Sequence, residues 1–403
     1  MALLSVAEAV ARVLEQAAPL GFDTVPLLDA HRRVLAGDIT ALRTQPPADV
    51  SAMDGYAVRG ADVGRPSVKL RLVGEVAAGH PLPGAVGPGE AARIFTGGVL
   101  PPGTDTVVMQ ENTTREDDFV VVTAGTVKGR HVRAEGLDFS SGAVLLAKGR
   151  RLSDRDLALA AAMNHPALPV HRRPKVAVLA SGDELVAPGA AAGGGQIVCS
   201  NGFATLALAR QEGCETVDLG IVPDRLAETA EAVRRARDAS ADILVTSGGA
   251  SVGDYDLVQK ALVAEGLALS FWKVAMRPGR PIMHGRLGSM HVIGVPGNPV
   301  SSYVCAVLFL VPLIRRLAGR TDWEPQLESA LLGCDLPEND ERADYLRATL
   351  EHRRAELPIA TPFPVQDSSM LVPLANAQCL LVREPHAAAA KARSRCTILK
   401  LGL

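Results

Sequence analysis

Three short runs in the middle of the chain are almost wholly apolar: Val176–Ala180, Ile243–Thr246 and Val292–Val295. Each is followed by a turn that contains glycine. Between them, residues 202–213, 224–239 and 256–265 have helical potential. Uninterrupted apolar strands alternating with helices predict a parallel sheet covered on both faces. Ligands of such sheets bind beyond the carboxyl ends of the strands.

The flanks carry other patterns. Residues 5–17 read as a helix opened by a capping box of Ser5 and Glu8. Residues 153–163 read as a second, with Ser153 as N-cap and Asp156 at its third position. From about 44 to 141, Gly, Pro and Asp are frequent, and Val68–Val73, Ala92–Phe95 and Thr106–Met109 sit between turn signals. That predicts a β-rich module. After about 320, Leu327–Leu332, Tyr345–Leu350, Cys379–Val382 and Thr397–Leu401 predict a small all-β domain.

A chain of 403 residues has room for two to four domains. With 47% apolar but only 3% aromatic residues, its cores must rest on Ala, Val and Leu. The 42 basic and 44 acidic residues nearly cancel, so charge gives no case for nucleic acid or an anionic membrane as partner. None of the six cysteines forms a C-x-x-C pair, and the N-terminus has no basic n-region. Both features lead us to expect reduced thiols and a cytoplasmic location. The longest apolar run, Tyr303–Ile314, contains Pro312 and is followed by Arg315-Arg316. It is shorter than the ~20 residues that span a bilayer and reads as a buried helix.

Chemistry concentrates in four turns of the α/β region, which share one edge if the sheet is parallel. They are Ser181-Gly-Asp-Glu184, Pro223-Asp224, the stretch from Ser247 to Asp256, and Pro296-Gly-Asn-Pro-Val-Ser301. The loop Ser247, Gly248, Gly249, Ala250, Ser251, Val252, Gly253 precedes a helix. It can offer backbone N–H groups and a helix N-terminus to an anion, or be a simple connection. It is neither a Walker A loop nor a G-x-G-x-x-G fingerprint. Glu184, Asp224 and Asp256 are hard oxygen ligands suited to Mg²⁺ beside a phosphate. Helix capping would equally explain Asp224 or Asp256 taken singly. Pro296 and Pro299 can shape a rigid pocket wall, or merely a turn with Asn298 as cap. Arg277 and Arg280 look like an anion clamp, with plain exposure as the alternative.

Taken jointly, these segments resemble the molybdopterin molybdenumtransferase family, which includes the bacterial MoeA proteins and the E domain of gephyrin. The resemblance rests on Ser51-Ala-Met-Asp-Gly-Tyr-Ala-Val-Arg59, Phe95-Thr-Gly-Gly98, Val107-Val-Met-Gln-Glu111, Ser181-Gly-Asp-Glu-Leu185, Ser247–Gly253 and Val295–Ser301, in the family's order. It implies a multidomain α/β plus β fold in four parts. These are a discontinuous helical domain (1–43 with 142–172), a β-rich module (44–141), an α/β, doubly covered pterin-binding domain (173–320) and a small C-terminal β-barrel (321–403). It also implies an elongated homodimer and insertion of molybdate into adenylylated molybdopterin, with Mg²⁺ assisting and AMP released. Asp54, Thr96, Asp138, Glu184, Asp224, Asp256, Pro296 and Pro299 carry over as functional positions. The site would form between the α/β domain of one subunit and the β-rich module of its partner. The resemblance admits the upstream adenylyltransferase and recipient molybdoenzymes as further partners.

Two departures stand out. Leu137 occupies the place of a common Glu before Asp138, and Arg277 and Arg280 replace common lysines. Two other functions remain open on sequence: the adenylyltransferase of the preceding step, which shares the α/β domain, and a non-catalytic scaffold of the gephyrin type.

Overall fold

A computed structural model describes residues 3–248, 257–354 and 356–402. At its centre lies a six-stranded sheet in the order Glu215–Val222, Lys175–Ser181, Ile243–Ser247, Met290–Val295, Met283–Leu287, Ala268–Trp272. The first four strands are parallel, and the last two add an antiparallel edge. The apolar runs are continuous because both faces are buried. Val176, Val178, Ile243, Val245, Ile293 and Val295 enter one core. Ala177, Leu179, Leu244 and Val292 enter the other. The helices Asn201–Gln211 and Pro299–Leu317 cover the first face, and Leu226–Asp238 and Leu257–Ala264 the second.

Pro299–Leu317 has the length and apolarity to cross a membrane. Val300, Val304, Phe309, Leu313 and Ile314 along it are fully buried in the sheet's own core, as the expected core helix requires. The helix Val6–Leu14 packs there too, through Ala9 and Val13. Its capping box is present: Ser5 Oγ accepts from Glu8 N at 3.2 Å, and Ser5 N donates to Glu8 Oε2 at 2.8 Å. The segment expected to be helical therefore keeps one α-helix beside its own core, Asp154–Ala162, opened by Ser153 and Asp156 in the same way. Antiparallel pairs Phe22–Pro26 with Ala167–His171, and Ile39–Thr40 with Val144–Leu146, complete that unit.

The β-rich module is a six-stranded sheet in the order Thr106–Met109, Gly55–Val58, Glu90–Ile94, Val68–Val76, Phe119–Val122, Thr113–Glu116. Period-two alternation splits it between two cores. Tyr56 and Val58 join Val108 and Val120, whereas Ala57 joins Val76, Ile94 and Val107. In the C-terminal segment, Ala343–Glu351, Ile359–Pro362, Leu327–Leu332, Arg395–Lys400 and Cys379–Arg383 pair in turn and close on Ala343–Glu351. This five-stranded barrel is filled by Ala330, Leu332, Ala348, Ala360, Cys379, Leu381 and Ile398.

The antiparallel edge holds two buried histidines. His284 Nε2 lies 3.3 Å from His291 Nδ1, and Arg286 Nη1 lies 3.1 Å from His291 Nε2. Burial first, and Arg286 second, push His284 down to about 4 and His291 down to about 3. The unfolded chain takes up these protons near pH 6.5, whereas the native state refuses them. Stability from this pair is complete above pH 6.5 and falls as pH drops below it. Urea unfolding should show that fall between pH 6.5 and about 5, before carboxylates titrate. In His284→Phe the slope should shrink by about one proton; an unchanged slope would refute the assignment.

Candidate functional site

The parallel register aligns the strand ends. Ser181 pairs with Val222, Ala180 with Ser247, and Ser247 with Val295. Beyond them opens a cavity of about 660 Å³, to which all four expected turns contribute. Ser181, Glu184, Asp224, Ser247, Gly248, Pro296 and Pro299 all line it. At the loop's start Gly248 has φ +93°, and a Cβ there would lie 2.2 Å from the Ser181 carbonyl oxygen. Only glycine fits so close a backbone approach with that φ. Gly249, Ser251, Gly253 and Asp256 lie outside the described residues.

Two carboxylates face this cavity. Asp224 Oδ1 accepts from Ser181 Oγ at 2.7 Å, and Asp224 N donates to Asp183 Oδ1 at 3.2 Å. The helix that follows has Arg225 at its N-cap, without a side-chain cap bond, so capping does not explain Asp224. Among the described residues the Glu184 carboxylate takes no hydrogen bond or ion pair, and neither does Asp224 Oδ2. The described residues contain no cluster of three His, Cys, Asp or Glu arranged to hold a metal.

Sequence reasoning missed two features. Asn201 Nδ2 donates to Ser247 Oγ at 3.0 Å and to the Gly297 carbonyl at 2.7 Å. It thereby ties two strand-end turns to the start of a helix. Ser369 and Leu371, from the C-terminal barrel segment, supply another wall. Asn298 stands at the N-cap of the helix Pro299–Cys305, but its side chain donates to Ser368 Oγ at 3.0 Å instead of capping. The turn is thus anchored to the barrel, and Pro299 sits at the first helical turn, where its missing N–H is not needed.

The arginines part company. Arg277 Nη1 donates to Asp340 Oδ2 at 3.1 Å, and Arg277 Nη2 donates to Asp344. The Asp344 bond raises its pKa above the ordinary arginine value. Arg280 is exposed beside Pro281, which lines the cavity, and its guanidinium has no partner among the described residues.

In the β-rich module the pairing of Gly55 with Ile94 brings two adjoining turns together. Thr96 N and Thr96 Oγ1 both donate to Asp54 Oδ1 at 2.8 Å. The Thr96 backbone N–H, then its hydroxyl, hold the Asp54 carboxyl below its ordinary pKa. Asp138 is exposed next to Leu137, itself 65% exposed. Asp54, Thr96 and Asp138 line no part of the 660 Å³ cavity.

Comparison with known proteins matches this architecture segment by segment. Residues 4–164 match the MoeA N-terminal region (domain I and II). Residues 177–316 match a probable molybdopterin binding domain, and 329–401 the MoeA C-terminal region (domain IV). A molybdopterin molybdenumtransferase of Nostoc sp. is 38% identical over 81% of this chain and 77% of its own. One of Haemophilus influenzae is 36% identical over 86% of this chain and 85% of its own. One of Bacillus subtilis is 33% identical over 94% of this chain and 90% of its own. The crystal structure of a molybdopterin biosynthesis MoeA protein from Pyrococcus horikoshii superposes with TM-score 0.86 at 28% identity, over 100% of both chains. The chain is a member of the molybdopterin molybdenumtransferase family.

Proposed function

We propose that this chain inserts molybdate into adenylylated molybdopterin and releases AMP, as a cytoplasmic homodimer. The observation that carries this reading is the meeting of Glu184, Asp224 and the Gly248 turn around one cavity at the parallel strand ends. The tight turn at Gly248, packed against the Ser181 backbone, starts the loop on the cavity wall, where backbone N–H groups would meet the pyrophosphate. Ser181 and Asn201 fix Asp224 and Ser247 in place. Glu184 and Asp224 fit Mg²⁺, which commonly takes one or two carboxylates and completes its shell with water and substrate phosphates. Bound there, it would neutralise phosphate oxygens and make AMP a better leaving group. Arg280, exposed next to a residue of the cavity wall and with its charge uncommitted, is the arginine we assign to molybdate as an oxyanion; Arg277 secures the barrel to the α/β domain instead. The dithiol sulfurs of the pterin, soft ligands, then bond molybdenum at unchanged oxidation state while one oxo oxygen leaves as water with the two thiol protons, and a second water cleaves the phosphoanhydride to free AMP. Asp54 and Thr96 of a second subunit complete the site.

Incubation with adenylylated pterin, Mg²⁺ and molybdate tests the reaction. AMP release should depend on molybdate and activate a cofactor-free molybdoenzyme. Adenylate formation from ATP and pterin without molybdate would instead identify an adenylyltransferase. Arg280→Ala should raise the KM for molybdate about tenfold, the worth of one charge-assisted hydrogen bond, at unchanged Tm. Arg277→Ala should lower Tm and leave that KM alone. The opposite pattern would return the anion to Arg277.

A further inference from the structure

A second cleft, of about 480 Å³, lies where the N-terminal segment meets the α/β domain, and it shares no lining residue with the cavity above. Arg32, Arg33, Arg151, Arg173 and Arg210 line it, against a single carboxylate, Asp29. Among the described residues none of these five is in an ion pair. The contrast with their neighbours is sharp. Arg150 pairs with Asp156, Arg172 with Asp242, and Arg315 and Arg320 with Glu212. In the cleft the partners are neutral: Arg33 Nη2 donates to the His171 carbonyl at 3.0 Å, Arg151 Nη2 to the Gln211 carbonyl at 3.1 Å, and Arg210 Nε to Thr216 Oγ1 at 2.9 Å. The side chains of Arg32 and Arg173 have no partner among the described residues. Arg33 Nε is buried without any hydrogen-bond partner.

A buried, unpartnered N–H is costly, and five like charges around one cleft repel. A negatively charged occupant relieves the repulsion. One tetrahedral ion engages one or two guanidinium forks. Five forks contributed by four separate stretches suit a row of phosphoryl groups, since each fork matches two oxygens. From this we infer that the cleft binds a small polyphosphate anion, either inorganic or the phosphate tail of a nucleotide, and that the occupant bridges the N-terminal segment to the α/β domain. Burial lowers the pKa of both Arg33 and Arg151; Arg173 adds to the effect on Arg33, where Asp23, Glu215 and Asp29 oppose it, and Arg320 adds to that on Arg151, where Glu212 opposes it. An anion in the cleft would offset that.

Calorimetry with inorganic triphosphate and with ATP, at matched ionic strength, tests this on the full chain. Arg32→Gln/Arg173→Gln removes two exposed side chains that hold nothing in place, so the fold should persist. Saturable binding of triphosphate to the wild type is expected, weakened about tenfold or more in the double variant. Glu184→Gln should bind as the wild type, which separates this cleft from the catalytic cavity. ATP binding no tighter than triphosphate would assign the site to the tail alone; tighter ATP binding would assign it to a nucleotide. Absence of saturable binding, equal binding by the double variant, or loss in Glu184→Gln would overturn the proposal.

Discussion

Gly248→Ala should reduce turnover by about 100-fold or more, because an error of about 1 Å at a reacting centre costs that much. The added Cβ would sit 2.2 Å from the Ser181 carbonyl oxygen and 3.3 Å from its carbon. It would also have to hold φ +93°, a strained value for alanine costing on the order of 1–3 kcal/mol. Either the Ser181 strand end moves or the loop does. Ser181 orients Asp224 and the loop continues Ser247, so both halves of the site are displaced whichever yields. Gly202→Ala is the control. Its Cβ would meet only Val178 Cγ1 at 3.9 Å, within a helix that alanine favours. It should keep full activity and an equal or higher Tm. Steady-state AMP release and thermal melts on both variants decide. Wild-type turnover in Gly248→Ala would show that the close approach has no part in catalysis.

The α/β sheet was legible because burial on both faces writes an uninterrupted apolar run. Residues 176–179 divide one by one between two cores, and no polar alternation remains to confuse the pattern. The antiparallel edge was not legible. Ala268–Trp272 is an edge strand with three exposed residues at its start, so its sequence carries no such signature. The helix Val6–Leu14 shows another limit. Its caps and apolar stripe fix its existence, but a stripe does not name the surface it covers. That surface belongs to Leu313 and Ile314, some 300 residues along the chain.

The site followed the same rule. Glu184, Asp224, Ser247 and Gly248 could be found because a parallel sheet puts its strand-end turns on one edge. Whether Asp224 capped a helix could not be decided from spacing, since either role puts an Asp just before a helix. The helix takes Arg225 as its N-cap, which leaves the Asp224 carboxylate to the bond from Ser181. Asn201 looked like any polar residue opening a helix, and nothing local marked its reach to Gly297. Arg277 and Arg280 had equal standing in sequence. They separate only because Asp340 and Asp344, more than sixty residues later, claim the first.

Asp54 and Thr96 are hydrogen-bonded to each other yet stand apart from the cavity that holds Glu184 and Asp224. In a two-fold dimer with sites shared between subunits, that separation has a measurable consequence. Asp54→Ala and Asp224→Asn homodimers should each lose at least about 99% of turnover, since each carries its defect in both sites. In a heterodimer, the α/β domain of the Asp54→Ala subunit faces the intact module of the Asp224→Asn subunit, giving one complete site. The other site carries both defects. A random equal mixture after subunit exchange is half heterodimer, so turnover should recover to about a quarter of wild type. Purified heterodimer, with each subunit tagged differently, should reach about half. Unexchanged mixtures should stay inactive, which excludes residual activity of either homodimer. A verified heterodimer with no recovery would place all the catalytic groups within one subunit, and Asp54 and Thr96 would then be a structural clamp of the module's turns.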